Sequence, residues 1–170
     1  GGGGGGGGCV GWARRPPATA GGDACGVVAA GRKDGRAFVL ADRTVRGLSP
    51  LGWAREAARA VREFGADAVI AEGNQGGDMV RNVLVQAGCP VEVKMVHASR
   101  SKAARAEPVA ALYEQGRVVH CGAFPQLEEE LMALGGRDGG PSPDRADALV
   151  WAVTALMLNG RGAGPRIRVL

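Results

Sequence analysis

Three acidic residues occupy sequence positions from which a folded chain could bring their carboxylates close together. Asp144 and Asp147 lie three residues apart at the start of an apolar stretch, and Glu72 directly follows the apolar residues 69–71. Side chains at positions i and i+3 of a helix share a face, and a charge that ends a buried strand lies at the sheet edge where open α/β sheets bind ligands. Carboxylate oxygens suit Mg²⁺ or Mn²⁺. The pattern predicts a metal-dependent nuclease, with Glu72, Asp144 and Asp147 as catalytic metal ligands.

Each acid also has a purely structural interpretation. Asp144 follows Pro143 and is a natural helix N-cap. The helix dipole stabilises an acid such as Asp147 in the first turn, but it does not explain why an otherwise apolar helix carries two acids. Asp23 is a further catalytic candidate as an outer ligand, and it could equally cap the start of a strand.

Two segments predict contacts with a nucleic-acid backbone. The loop after Glu72 contains glycines at 73, 76 and 77 around Asn74 and Gln75, and such a loop can bring backbone N–H groups close to a phosphate. An ordinary strand-to-helix turn would have the same composition. A basic cluster follows later in the chain; it would form a track for DNA phosphates or else a solvated helix face. Its candidate DNA-binding residues are Lys94, Arg100, Lys102 and Arg105.

The elements that must position these residues alternate along the chain. Asp34-Gly35 predicts a hairpin turn between the first two apolar runs, and Pro108 predicts a kink or a break in its helix. Strands that alternate with helices after a hairpin predict a mixed α/β sheet with helices on its faces. The predicted strands are 24–31, 37–45, 68–71, 91–96 and 117–121, and the predicted helices are 50–64, 78–87, 101–115, 125–134 and 144–158.

Composition sets the limits on domain number and on partners. A chain of 170 residues with 45% hydrophobic residues predicts one domain, residues 9–158, between a disordered glycine run (1–8) and a flexible tail (159–170). A net charge of +4 is compatible with a nucleic-acid partner. The four cysteines form no CxxC pair, which disfavours zinc and is typical of a reduced, cytoplasmic protein. No apolar run reaches the roughly 18 residues that span a bilayer, so no membrane partner is expected.

Four segments in a fixed order carry a family resemblance: 16–26, 72–77, 101–108 and 142–149. Together they resemble the C-terminal nuclease domain of large terminase subunits from tailed phages, prophages and gene transfer agents, over about residues 15–158. The resemblance implies a ribonuclease H-like fold, two divalent metal ions, and cleavage of concatemeric double-stranded DNA in the host cytoplasm. It also implies an ATPase motor domain, a portal protein and a small terminase subunit as partners. No GxxxxGK[ST] motif of an ATPase occurs in this sequence.

The chain departs from that family at its start. The family's first catalytic Asp ends the first strand, directly before a Pro-rich turn, and Arg15 stands at that position here. Residues 9–15 also lack the apolar strand that the resemblance leads us to expect. Two alternatives therefore remain beside the terminase nuclease. One is a catalytically impaired DNA-binding or assembly module of the same fold, and the other is a different ribonuclease H-like nuclease, such as a junction resolvase.

Overall fold

A computed structural model describes residues 7–13, 24–73, 77–134 and 143–159, with residues 7–13 described through their backbone alone. The strands are β1 (Gly7–Ala13), β2 (Ala24–Lys33), β3 (Arg36–Asp42), β4 (Val45–Arg46), β5 (Ala68–Glu72), β6 (Glu92–Val96) and β7 (Val118–His120). The helices are α1 (Pro50–Phe64), α2 (Gly77–Gln86), α3 (Lys102–Glu114), α4 (Pro125–Ala133) and α5 (Asp144–Val153), and a π-helical turn (Thr154–Leu158) extends α5.

The strands form one mixed sheet in the order β6-β5-β1-β2-β3-β7, with β4 paired to the start of β2. Strand β1 is central: it runs parallel to β5 and antiparallel to β2. Strands β2 and β3 form the predicted hairpin, whose turn residues Asp34 and Gly35 both have positive φ (49° and 75°), as a tight turn between twisted strands requires. The predicted mixed sheet flanked by helices is confirmed.

Two hydrophobic cores lie on opposite faces of this sheet. Alternate residues of β2 point to opposite sides, so Val27 packs with α1 and α2 while Val28 packs with α3, α4 and α5. Helix α5 lies across β1 and β2. Every residue of α5 except Trp151 is buried, and the buried set includes Asp144, Arg145 and Asp147. Three charged residues are thus held inside the domain at one end of a core helix.

The structure corrects several predicted element boundaries. Residues 9–15 were expected to lack a strand, but β1 forms from Gly7 to Ala13 because both of its edges are hydrogen-bonded to neighbouring strands, which outweighs its poor composition. It begins inside the predicted disordered run, of which residues 1–6 lie outside the described part. Helix α3 continues through Pro108 without a break; Ser101 caps its start, and the buried Val109 and Leu112 hold it to the core.

The predicted strand 37–45 is also two elements. Strand β3 ends at Asp42, whose Oδ1 accepts a hydrogen bond from the N–H of Thr44 at 3.0 Å and turns the chain before β4. Among the helices that the structure describes, none combines the length and the apolar character needed to cross a membrane.

Candidate active site

The start of helix α5 places Asp144 and Asp147 beside strand β2. The backbone comes unusually close there: a Cβ on Gly26 would lie 2.1 Å from the carbonyl oxygen of Asp144. Only glycine fits at this position of β2. The side chains of Asp144 and Asp147 are 7% and 2% exposed. Burial of two carboxyl groups on one turn is costly unless positive charge or hydrogen bonds compensate them.

Glu72 ends strand β5 and reaches α5 through Trp151. The indole Nε1 donates a hydrogen bond of 3.1 Å to Oε2 of Glu72, from a position one turn after Asp147 on the same helix. Burial raises the pKa of Glu72, and the negative charge of Asp147 raises it further. The hydrogen bond from Trp151 and the charge of Arg105 act in the opposite direction. The Glu72 carboxylate is therefore destabilised by its surroundings, as expected for a site that attracts cations.

Two cations from helix α3 lie among these acids. Lys102 Nζ is 3.4 Å from Oδ1 of Asp144 and 3.6 Å from Oδ2 of Asp147. Arg105 Nη2 is 2.6 Å from Oδ1 of Asp147 and 3.9 Å from Oε2 of Glu72, and its guanidinium carbon lies 5.0 Å from the centroid of the Trp151 ring. One guanidinium nitrogen thus contacts two carboxyl groups, so the structure brings Glu72 and Asp147 together from β5 and α5.

The predicted DNA-binding residues separate into three groups. Lys102 and Arg105 do not form a solvated helix face. The Arg105 side chain is only 10% exposed, and both side chains point to Glu72, Asp144 and Asp147, which we call the acidic cluster. Lys94 and Arg100 are exposed, and Lys94 Nζ lies 3.9 Å from Glu92. The remaining candidates lie outside the described residues: Asn74, Gln75, the catalytic candidate Asp23, and Arg15.

Sequence reasoning missed a second buried charge cluster beside the first. Arg145 lies between the two acids of α5 in the chain, but its guanidinium points away from them, to Asp42 of β3 and to Glu130 and Gln126 of α4. The signal was present: an arginine inside an otherwise apolar helix needs acceptors when it is buried. Its partners lie 15 to 103 residues away in the chain, and no local pattern identifies them.

The acidic side chains of the site are of the type that binds a divalent ion. Hard carboxylate oxygens are the ligands that Mg²⁺ and Mn²⁺ prefer. Oδ2 of Asp147 is buried and has no hydrogen-bond partner among the described residues, with Lys102 Nζ 3.6 Å away, so this oxygen could serve as a metal ligand if Lys102 moved aside. Among the described residues, no three Asp, Glu, His or Cys side chains are grouped so that they could hold one ion. Lys102 and Arg105 contact the acids instead. The cations supply the positive charge that an ion would bring, and the residue types fit Mg²⁺ or Mn²⁺.

Comparison with solved structures shows the same fold in viral nuclease domains. The human cytomegalovirus terminase nuclease domain, soaked with manganese, is 16% identical with a TM-score of 0.61, covering 89% of this chain and 84% of its own. The large terminase nuclease of thermophilic phage G20c with bound zinc is 17% identical with a TM-score of 0.61, covering 88% and 81%. The nuclease domain of the large terminase subunit gp2 of bacterial virus Sf6 is 20% identical with a TM-score of 0.59, covering 86% of each chain.

A sequence comparison identifies the family. No curated protein sequence matches the chain. The family described as the terminase RNaseH-like domain, however, matches residues 16–156, which include β2 to α5 and all three acids of the cluster. Together with the mixed sheet and the resemblance in four ordered segments, this match shows that the chain belongs to the terminase ribonuclease H-like domain family.

Proposed function

We propose that this domain is the divalent-metal-dependent endonuclease of a DNA-packaging terminase and cleaves double-stranded concatemeric DNA. The observation that carries the proposal is that Lys102 contacts Asp144 and Asp147 while Arg105 contacts Asp147 and Glu72, so the three acids belong to one charge cluster, in a chain of the terminase family. The similar cytomegalovirus domain was soaked with manganese and the phage G20c nuclease has bound zinc, which supports the use of a divalent ion.

The residues of the cluster divide the work of phosphodiester hydrolysis. Glu72, Asp144 and Asp147 would hold the metal, for which the family resemblance implies two ions. Bound Mg²⁺ or Mn²⁺ supplies a Lewis acid for the phosphate and lowers the pKa of a water molecule at the site. Trp151 orients Glu72 through its hydrogen bond. Lys102 and Arg105 offset the negative charge of the acids when no ion is bound, and Lys102, which is 35% exposed, can turn to a phosphate.

Exposed cations near the cluster support contact with a DNA backbone. Lys94 on β6 and Arg100 in the loop after β6 are both exposed. Strand β6 pairs with β5, the strand that ends at Glu72. Contacts of these residues with phosphates would position the duplex without reading its sequence. Asn74 and Gln75 remain candidates for the same role. We also propose the partners that the family implies: an ATPase motor domain, a portal protein and a small terminase subunit, in the host cytoplasm.

Metal titration tests the proposal directly. We expect Mn²⁺ to bind the purified domain in isothermal titration calorimetry, and Asp147→Asn or Glu72→Gln to weaken binding at least tenfold. Asp78→Asn, which changes an exposed acid in the first turn of α2, should bind like the parent. Equal Mn²⁺ affinity in the parent and both site variants would refute the metal site.

A second candidate function is favoured by Arg15 alone. If the missing first-strand Asp has made the domain a DNA-binding or assembly module, the domain should bind DNA, and both the parent and the Arg15→Asp variant should leave plasmid uncut.

A preference for four-way junctions over linear duplex, measured by gel shift and cleavage, would instead support a junction resolvase.

A further inference from the structure

The start of helix α5 is held by a residue from another helix. Pro143, at its N-cap position, makes no side-chain capping hydrogen bond. Instead, Oε2 of Glu130 on α4 accepts hydrogen bonds from the backbone N–H groups of Arg145 at 2.8 Å and Ala146 at 3.1 Å. These donors have no partner within the helix, so Glu130 provides the cap that the local sequence lacks.

The same glutamate also binds the side chain of Arg145. Its Oε1 accepts from Arg145 Nη1 at 3.0 Å, while Arg145 Nε donates to Oδ2 of Asp42 at 3.0 Å and Nη2 donates to Gln126 at 3.2 Å. The Arg145 side chain is 9% exposed and those of Asp42 and Glu130 are 12% and 19% exposed. Three donors of one planar guanidinium are therefore satisfied by three different side chains.

We propose that Asp42, Glu130 and Arg145 form a clamp that sets the position of Asp144 and Asp147 for divalent-ion binding. This inference rests on the proposed function. The three are positioning residues, since they act through the first turn of α5. Because Arg145 is directed to β3 and α4, its charge does not pair with the two acids on either side of it in the chain. Asp144 and Asp147 contact Lys102 and Arg105 instead.

Hydrogen bonds from two sides fix helix α5 beside the acidic cluster. Trp151 links α5 to Glu72 on β5, and the clamp links the start of α5 to β3 and α4. A carboxylate ligand displaced by about 1 Å loses much of its contribution to a metal site, and residues behind the ligands typically change metal affinity by about 10- to 100-fold. Loss of the clamp should therefore reduce metal binding even in a folded domain.

The test compares variants of two neighbouring glutamates on α4. In Glu130→Gln, one of the two accepting oxygens is replaced by an NH₂ group, which donates and cannot accept. We therefore expect Mn²⁺ affinity in calorimetry to fall about tenfold or more. Arg145→Lys keeps the charge but loses the three-way geometry, and we expect a similar loss. Glu129→Gln, the adjacent and exposed glutamate, should bind Mn²⁺ like the parent. Hydrogen exchange of the amides of Arg145 and Ala146 should become faster in Glu130→Gln without metal.

A second control separates positioning from stability. Leu84→Ala removes a fully buried side chain of α2 in the core on the other face of the sheet, and it should lower the melting temperature without changing Mn²⁺ affinity. Equal weakening of Mn²⁺ binding by Leu84→Ala would overturn the clamp. So would unchanged affinity in Glu130→Gln and Arg145→Lys when the parent binds Mn²⁺. A parent domain that binds no Mn²⁺ would instead overturn the proposed function.

Discussion

The guanidinium of Arg105 lies between two acidic side chains that come from different parts of the chain. Its Nη2 is 2.6 Å from Oδ1 of Asp147 and 3.9 Å from Oε2 of Glu72. Arg105 is on helix α3, which is not adjacent in the chain to either β5 or α5. An arginine at this position can hold the two carboxylates together when no metal ion is bound.

Removal of the Arg105 guanidinium should lower the stability of the domain, because Asp147 is buried. Arg105→Met keeps most of the side-chain volume but leaves Asp147, which is 2% exposed, without its closest ion-pair partner. We expect the free energy of unfolding in EDTA to fall by about 3 kcal/mol, since breaking a buried ion pair leaves an uncompensated charge. Mn²⁺ should restore part of this loss.

Urea denaturation with EDTA and with Mn²⁺ measures both effects. Arg100→Met, at an exposed position just before α3, should change stability by less than about 0.5 kcal/mol. Equal stability of Arg105→Met and Arg100→Met would show that Lys102 alone compensates the acids.

Close backbone contact between β2 and α5 predicts a strict requirement for glycine at position 26. In Gly26→Ala the new Cβ would lie 2.1 Å from the carbonyl oxygen and 2.6 Å from the carbonyl carbon of Asp144, so the start of α5 must move. We expect a loss of about 3 kcal/mol in the free energy of unfolding, as for an overpacked core, and weaker Mn²⁺ binding. Gly122→Ala is the matched control, because its nearest neighbour would lie at 3.4 Å. Normal Mn²⁺ affinity in Gly26→Ala would mean that the acids do not depend on this contact.

Glu128 should make stability depend on pH below neutrality. Its hydrogen bond with His120, at 3.1 Å from Nδ1, lowers the pKa of Glu128, and a second hydrogen bond from the N–H of Phe124 lowers it further. A carboxylate whose pKa is lowered on folding stabilises the folded state above its unfolded pKa, near 4.5, and loses that contribution as the pH falls through its folded pKa. The stability difference between the parent and Glu128→Gln should therefore be constant near neutral pH and vanish in acid.

Chemical denaturation of both proteins between pH 7 and pH 3 checks this direction. The exposed Glu129→Gln should follow the parent throughout. A parent-minus-variant difference that grows toward acid pH would contradict the assignment to Glu128.

Arg15 predicts weak cleavage by the chain as written. A two-metal reaction that lacks one shared carboxylate should lose several kcal/mol of transition-state stabilisation, which corresponds to about a hundredfold or more in rate. We expect poor cutting of supercoiled plasmid in Mn²⁺, a clear gain in Arg15→Asp, and loss of that gain in Arg15→Asp with Glu72→Ala. Strong Mn²⁺-dependent cutting by the unmodified chain would show that another group, such as Asp23, replaces the missing ligand.

The sequence by itself determined most of the helices and strands and predicted the acids of the candidate site. Apolar periodicity and Gly, Pro and Ser boundaries predicted the hairpin and most helices, because these signals depend on neighbouring residues alone. The strand end at Glu72 and the helix start at Asp144 were predicted for the same reason, and the general rule that ligands bind at strand ends then brought them together.

Tertiary structure decided which charges meet and which strand completes the sheet. Strand β1 forms from a glycine-rich segment because β2 and β5 pair with both of its edges. Lys102 and Arg105, predicted as phosphate contacts on a surface, turn inward to acids 42 residues away, and Arg145 turns from its neighbouring acids to Asp42 and Glu130. A buried charge takes the partner that the packed fold places within reach, and distances between packed elements are not encoded in any local pattern of residues.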